Sequence, residues 1–364
     1  MKIIQIINSL ESGGAEKLLL DTIPIYRKKG IEVDLLLLNG SSNPFLDKLK
    51  DLGSCSIYSL GIGSVYNPLL IFKIVPFLKR YDIAHVHLFP SQYWVVLAKF
   101  LSFSKIQLIY TEHSTSSRRV RNKLFKFLDF LFYKPYSKVI CISQKVMEVV
   151  KEQTSIPDSK IEIITNGVSI EQIKKCKPHN RFDFFPNADS NLKLLIQVSG
   201  FKEPKDQSTL IRALSLLSDE VKLVLAGEGN LLEHCIELAK ELNVFDRVLF
   251  LGMRMDVPQL LKMCDIVVLS SAYEGLSLSS IEGMVSGKPF VATNVPGLSD
   301  IVGGAGVLFN FGDEKELAFI IKKLLSDQLY YQETVNLCQI RAEQFDIQIM
   351  VNKHLDIYHK LFPK

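Results

Sequence analysis

The chain has 364 residues, 47% of them apolar, with 43 Lys and Arg against 39 Asp and Glu. That is length for two domains at the usual ~150 residues each, and apolar content for two cores. A net charge of only +4, with no recognition module legible, argues against nucleic acid as a partner.

No basic stretch followed by an apolar run opens the sequence as a secretory signal would; MKIIQIINSLESGG meets Asn8 and Glu11 too soon and reads as a first buried strand. The stretches WVVLAKFLSF and LLIFKIVPFL are broken by Lys99, Lys73 and Pro76, short of the ~20 residues of a spanning helix. A cytoplasmic location is expected. From there strand-length apolar runs alternate with helical periodicity. KIIQII, VDLLLL, IAHVHL, IQLIYT, KVICIS and IEIIT read as strands, with helices beginning near Gly14, Pro44, Pro68, Gln92, Arg121 and Gln144. A second series, KLLIQVS, KLVLAG, VLFLG, IVVLS, PFVAT and GVLF, follows a turn-rich stretch at 176–191 that reads as a linker. The expected fold class is α/β, two doubly wound parallel sheets spanning 1–175 and 192–344, with ligands at the carboxyl ends of the strands in a cleft between facing domains.

Six cysteines show no CxxC and no metal-cluster spacing, which fits reduced thiols and no metal. Charge is uneven: residues 1–180 hold 25 Lys and Arg against 15 Asp and Glu, and residues 181–364 hold 18 against 24. Much of the excess lies at 118–138, where Arg118, Arg119, Arg121, Lys123, Lys126, Lys134 and Lys138 face a single acid, Asp129. Leu124, Phe127, Leu128, Leu131 and Phe132 recur there at helical spacing. The segment suits peripheral contact with an anionic membrane or a lipid phosphate; an ordinary core-facing helix with a charged outer face has the same pattern.

The segment 270–289, SSAYEGLSLSSIEGMVSGKP, is the most informative. Glu274 and Glu282 stand eight residues apart, an interval repeated by Glu220/Glu228 and Glu233/Glu241, so context must separate them. A buried strand precedes Glu274, Gly275 eases a turn, and a helix is expected from about Ser277. Ser277, Ser279 and Ser280 suit its cap, and its free N–H groups suit a phosphate or diphosphate. Glu274 in the loop and Glu282 in the helix would then serve two polyols on either side of that diphosphate, the shape of a nucleotide-sugar. A solvated helix start with two incidental acids is the plain alternative. At other strand ends, Gly13 and Gly14 allow close approach to a phosphate or serve as a plain turn, and His113 suits a hydroxyl or a structural role. Asn166-Gly167 reads as a tight turn and Gly227-Glu228-Gly229 as a turn near the cleft. Lys205 suits a diphosphate, and Met253-Arg254 a base pocket or a surface loop.

These motifs in this order resemble the retaining glycosyltransferases of family 4, the group 1 class with a GT-B fold. The resemblance runs through SGGAEKLL, HVHLF, TEHST, CISQKV, ITNGV, KDQSTLIRAL, LAGEGN, FLGMRMDV and SSAYEGLSLSSIEGMVSGKPFVATNVPGLSDIV. It implies a donor nucleotide-sugar, UDP- or GDP-linked, held mainly by the second domain, and a saccharide or lipid-linked acceptor at the first. Residues 345–364 resemble the last helix that crosses back to the first domain in such enzymes. Residue by residue, it implies Glu282 at the ribose hydroxyls and Glu274 at the donor sugar's hydroxyls, with the backbone of Leu276, Ser277 and Leu278 at sugar and diphosphate. Lys205 would stand at the leaving diphosphate, the Gly13-Gly14 loop would approach it, and His113 would meet the donor sugar. Transfer would keep the anomeric configuration, with no metal or cofactor implied. Many relatives carry an Arg where this chain has Gly200, and Lys202 is the candidate replacement, although Lys lacks Arg's bidentate geometry. A sugar-nucleotide epimerase or phosphorylase on the same scaffold, or a non-catalytic nucleotide-sugar-binding protein, is the alternative. An oxidoreductase is disfavoured because no GxGxxG opens a strand-to-helix turn.

Overall fold

Strands rich in Ile, Leu and Val on both sides must be covered on both faces, which parallel sheets achieve with their crossover helices. Both strand series do this in the computed structural model, which describes residues 1–11, 13–113 and 123–363. The chain divides into two compact units, Met1–Gly167 with Ile347–Lys364, and Val168–Asp346.

In the first unit the strands are β1 (Lys2–Ile7), β2 (Glu32–Leu37), β3 (Ile57–Ser59), β4 (Ile83–His87), β5 (Gln107–Glu112), β6 (Lys138–Cys141) and β7 (Ile161–Ile163). They pair in parallel in the order β3-β2-β1-β4-β5-β6-β7. Helices α1 (Gly14–Lys28), α2 (Pro44–Asp51), α3 (Leu70–Leu78), α4 (Ser91–Ser102), α5 (Lys123–Phe132) and α6 (Gln144–Thr154) connect them. The chain winds outward from β1 to β3, then returns to β4 on β1's other side, leaving a crevice between β1 and β4 at their carboxyl ends. The edge strand β3 did not register in the sequence because three residues, two half-buried and one exposed, make no run.

The second unit opens with α7 (Ile170–Lys175) and continues as β8 (Lys193–Val198), α8 (Gln207–Ser215), β9 (Val221–Ala226), α9 (Leu232–Glu241) and β10 (Val248–Phe250). Next come α10 (Val257–Met263), β11 (Ile266–Leu269), α11 (Leu278–Val285), β12 (Phe290–Thr293), α12 (Leu298–Val302) and β13 (Val307–Phe309), then α13 (Glu314–Ser326) and α14 (Gln328–Ala342). The sheet order β10-β9-β8-β11-β12-β13 puts the corresponding crevice between β8 and β11. Its core is aliphatic, with Leu195, Leu210, Leu214, Leu223, Leu225 and Ile321 fully buried, each contributing about 1.5–3 kcal/mol relative to an exposed side chain. The last helix, α15 (Ile347–Leu361), belongs to the first unit.

One expectation changes. The stretch 176–191 is part of the second unit and not a linker. The Arg181 guanidinium donates to the Leu192 and Met263 carbonyls at 3.0 Å each and to Asp265 at 3.3 Å, so a charged side chain anchors an irregular segment to the sheet. The division falls between Gly167 and Val168, where Val168 N–H donates to the Phe345 carbonyl at 2.9 Å. In the basic segment Leu124, Phe127 and Leu131 of α5 are exposed, which departs from an ordinary core-facing helix, while Asp129 is buried and accepts from the Tyr93 hydroxyl at 2.5 Å. Arg118, Arg119 and Arg121 lie outside the described residues.

Candidate functional site

In the second unit the crevice is built from the loops that follow β8 and β11. Gln197, 1% exposed near the end of β8, donates to Ser199 Oγ at 2.9 Å and accepts from Ser270 N–H at 3.1 Å, tying the two strand ends together. The loops continue as a short zipper: Asp206 N–H donates to the Ser270 carbonyl at 3.1 Å and Ala272 N–H to the Pro204 carbonyl at 2.8 Å, with a bridge between Lys205 and Ser271. Asp206 accepts from Ser270 Oγ and also caps α8 through Thr209 N–H. This frame carries Lys205 and Glu274 to one spot, where ammonium and carboxylate form an ion pair, their side chains 16% and 10% exposed. Removing either partner would strand the other charge in a poorly hydrated place.

Glycines let the supports come this close. Gly297 has φ +87°, and a Cβ there would collide with the carbonyl oxygens of Glu274 and Gly275; Glu274 N–H in turn donates to the Pro296 carbonyl. Gly227 and Gly229, at φ +149° and +153°, let the loop after β9 press against the carbonyls of Ser199 and Phe201, bracing the Lys202–Lys205 turn from behind. Gly283 sits against Phe290 and Val267 with no room for a side chain, which draws α11 onto β11 and β12.

Helix α11 begins at Leu278, as the sequence predicts, but the serine cap expected there is absent. Ser277 makes no side-chain cap bond, and the Ser280 hydroxyl donates to the Ser277 carbonyl at 2.7 Å. The cap residue thus supplies no side-chain acceptor to the first turn, and the helix end carries the partial positive charge that suits an anion. Leu276, Ser277 and Leu278 form the approach to this end, and Glu282 is one turn further, 4% exposed. Lys202 lies in the Lys205 loop with an exposed side chain. A Cβ at Gly200 would lie 3.5 Å from the Lys202 Cε, so the Lys202 stem fills the room next to residue 200. Arg254, after β10, is engaged otherwise: it donates to both Asp256 carboxylate oxygens at 2.8 and 2.6 Å. That bidentate pair, with a further bond from His179, holds the Asp256 carboxyl down at about 2.

His113, Gly13 and Gly14 belong to the first unit. Gly13 is the extended N-cap of α1, and a Cβ there would meet the Glu16 carboxylate. In the crevice between β1 and β4, the Asn8 amide donates to the Phe89 carbonyl at 2.7 Å. His113 follows β5 and meets His87 of β4, Nε2 to Nδ1, at 3.2 Å. Behind this pair lies a polar cluster that the sequence reading missed. Gln5 and His85 are register neighbours on β1 and β4, His87 and Thr111 on β4 and β5. Helix α15 covers them, with Tyr358 OH 2.6 Å from His85 Nδ1, and His354 Nδ1 lies 2.6 Å from Tyr26 OH of α1. The available signal was a polar residue at alternate positions inside strands otherwise aliphatic, Gln5 in KIIQII and His85 and His87 in IAHVHL. The cavity among these side chains is about 20 Å³, room for one water and far too small for a sugar, so the cluster supports the crevice wall. Burial keeps the rings uncharged: His85 and His87 titrate well below the usual histidine range, His113 is lowered to about 4 and His354 to about 3.

Fold and crevices define the class as a two-domain, Rossmann-like α/β protein whose second unit presents a paired Lys and Glu beside an uncapped helix end. The family model "Glycosyl transferases group 1" matches residues 179–343 and "Glycosyltransferase Family 4" residues 12–172. Between them they cover most of the chain, which belongs to these glycosyltransferases and has the GT-B fold.

Its relatives include the 4-alpha-N-acetylgalactosaminyltransferase of Campylobacter jejuni that acts on N-acetylgalactosamine-N,N'-diacetylbacillosaminyl-diphospho-undecaprenol. That protein is 28% identical, with 93% of this chain and 94% of the relative covered. The N-acetyl-alpha-D-glucosaminyl L-malate synthase of Bacillus anthracis is 27% identical, covering 83% and 81%. The Escherichia coli UDP-Gal:alpha-D-GlcNAc-diphosphoundecaprenol alpha-1,3-galactosyltransferase is 23% identical, covering 90% and 89%. Among solved structures, Anabaena HepE in complex with UDP and glucose superposes with a TM-score of 0.85 at 24% identity, covering 98% and 99% of the two chains.

Proposed function

We propose that this chain transfers a sugar, with retention of anomeric configuration and without a metal, from a UDP-linked donor to a hydroxyl of a saccharide carried on a lipid diphosphate. The observation that carries the reading is the second-unit crevice, where Lys205, Glu274 and the uncapped start of α11 converge. A nucleotide-sugar presents two polyols joined by a diphosphate. Glu282 on α11 suits the ribose hydroxyls, Glu274 the sugar hydroxyls, and Lys205 with the α11 N–H groups the diphosphate between them. As the C1–O bond to the leaving phosphate breaks, negative charge grows on that phosphate, and a fixed ammonium and helix end stabilise it without reorganising. The acceptor oxygen attacks C1 from the same face and passes its proton to the departing phosphate oxygen. Lys202 is the second cation of this reading, in the room beside Gly200. Arg254, held by Asp256, contributes to the base pocket through its neighbouring backbone more than through its guanidinium.

The uridine base and the lipid-diphosphate acceptor follow the wording of the Escherichia coli and Campylobacter names. Peripheral contact with an anionic membrane fits the exposed Leu124, Phe127 and Leu131 of α5. No helix among the described residues is long and apolar enough to cross a membrane. Calorimetric titration with UDP, GDP and ADP tests the donor site: micromolar binding of UDP, lost in Glu282→Ala, is expected. Binding of none of the three nucleotides, or equal binding by wild type and variant, would remove the donor-site assignment.

A further inference from the structure

The polar cluster of the first unit has a direction. Gln5 donates its amide N–H to Tyr358 OH at 3.3 Å, and its carbonyl oxygen faces His87 Nε2 at 2.8 Å. An amide oxygen accepts only, so His87 carries its proton on Nε2 and presents a bare Nδ1. That nitrogen is 3.2 Å from His113 Nε2. Two bare nitrogens facing each other would repel, and a doubly protonated ring would bury a charge, so His113 must hold its single proton on Nε2. The far end agrees: Tyr358 OH, having accepted from Gln5, donates to His85 Nδ1, and His85 Nε2–H donates to Thr111 Oγ1 at 2.6 Å. Both rings of the contact are uncharged at neutral pH, His87 buried and His113 half-buried.

We propose that His87 and Gln5 are positioning residues that fix His113 as its Nε2–H tautomer, leaving Nδ1 as a hydrogen-bond acceptor for a hydroxyl of the donor sugar. The inference rests on the reading of His113 as a sugar contact. It adds the sense of that contact, a hydroxyl donating to an imidazole that cannot donate back. Selectivity follows: a sugar with a hydroxyl at the facing position is held, and the deoxy analogue leaves Nδ1 unpaired.

Long-range imidazole nitrogen–proton correlation spectra of the ¹⁵N-labelled full chain, assigned with His113→Gln, read the tautomer directly. A protonated Nε2 and bare Nδ1 on His113 are expected, and the Nδ1–H form would overturn the proposal. In His87→Phe the His113 signals should move toward a tautomer mixture. Turnover of UDP-N-acetylgalactosamine or UDP-galactose by hydrolysis should fall up to about tenfold, the scale of losing one hydrogen bond that orients a functional group. KM for the donor should change little, and His87→Asn, whose Oδ1 stands where Nδ1 stood, should restore most of the turnover. Unchanged spectra and turnover in His87→Phe would overturn it too. Should that variant not fold, Gln5→Met, which removes the carbonyl that orients His87, makes the same test. Wild-type turnover by His113→Ala would instead sink the sugar-contact reading, while the tautomer assignment would still stand or fall by the spectrum.

Discussion

The two units solve the same topological problem with different chemistry. Each places a glutamine on the strand from which the winding reverses, Gln5 on β1 and Gln197 on β8, both 1% exposed, and each glutamine bridges to the strand across the crevice. In the first unit the bridge ends on His87 and a neutral network of histidine and tyrosine. In the second it ends on Ser270 and supports an ion pair next to an uncapped helix end. A doubly wound sheet fixes where a crevice opens, and the side chains at the strand ends decide whether it handles charge or neutral hydroxyls.

The largest effect should come from the charged crevice. Lys205→Ala should lower kcat/KM by ~10²-fold or more, the scale of losing one group that stabilises a developing oxyanion. Steady-state kinetics with the donor identified by calorimetry measures it. Wild-type turnover in that variant would erase the contrast, because the charged crevice would then not be where leaving-group charge develops.

The neutral crevice should reveal itself through acid. Burial lowers the folded-state values of His85, His87, His113 and His354 below the unfolded value near 6.5. The unfolded chain therefore binds more protons as pH falls, so stability is full above about pH 6.5 and is lost as pH drops toward the folded-state values. For His354, lowered to about 3, the loss between pH 7 and pH 5 is roughly 2 kcal/mol. Trp94 is the chain's one tryptophan and lies on α4, so its fluorescence reports the first unit alone. Its unfolding midpoint should fall between pH 7 and 5 by more than that of the second-unit transition seen by far-ultraviolet circular dichroism. Coincident transitions at both pH values would break the comparison.

The smallest effect concerns the outer surface. Co-sedimentation with anionic phosphatidylglycerol vesicles should weaken with added salt, and Phe127→Glu should reduce it severalfold. No binding at low salt would return the acceptor to solution.

The sequence was most legible where structure is local. Buried runs such as IVVLS and KLLIQV gave their strands, and the change of pattern at Ser277 gave the start of α11. The three-residue β3 left too little pattern, and 176–191 looked unstructured because Arg181 holds it by contacts that reach residues 192, 263 and 265. Leu124 and Phe127 follow helical spacing without being buried, since periodicity records only which residues share a face.

By itself, then, the sequence determined the two α/β series, the strand ends that carry polar residues and, through its motifs, the family. Tertiary structure decided what those residues do to one another. Lys205 and Glu274, 69 residues apart, meet only because the sheet reverses between β8 and β11. His87 meets His113 because β4 and β5 pair in register, and α15 brings Tyr358 to a cluster whose first member is Gln5, 353 residues earlier. Charge pairing, tautomer and pKa depend on distances of a few ångströms between remote segments, and no local pattern encodes those distances.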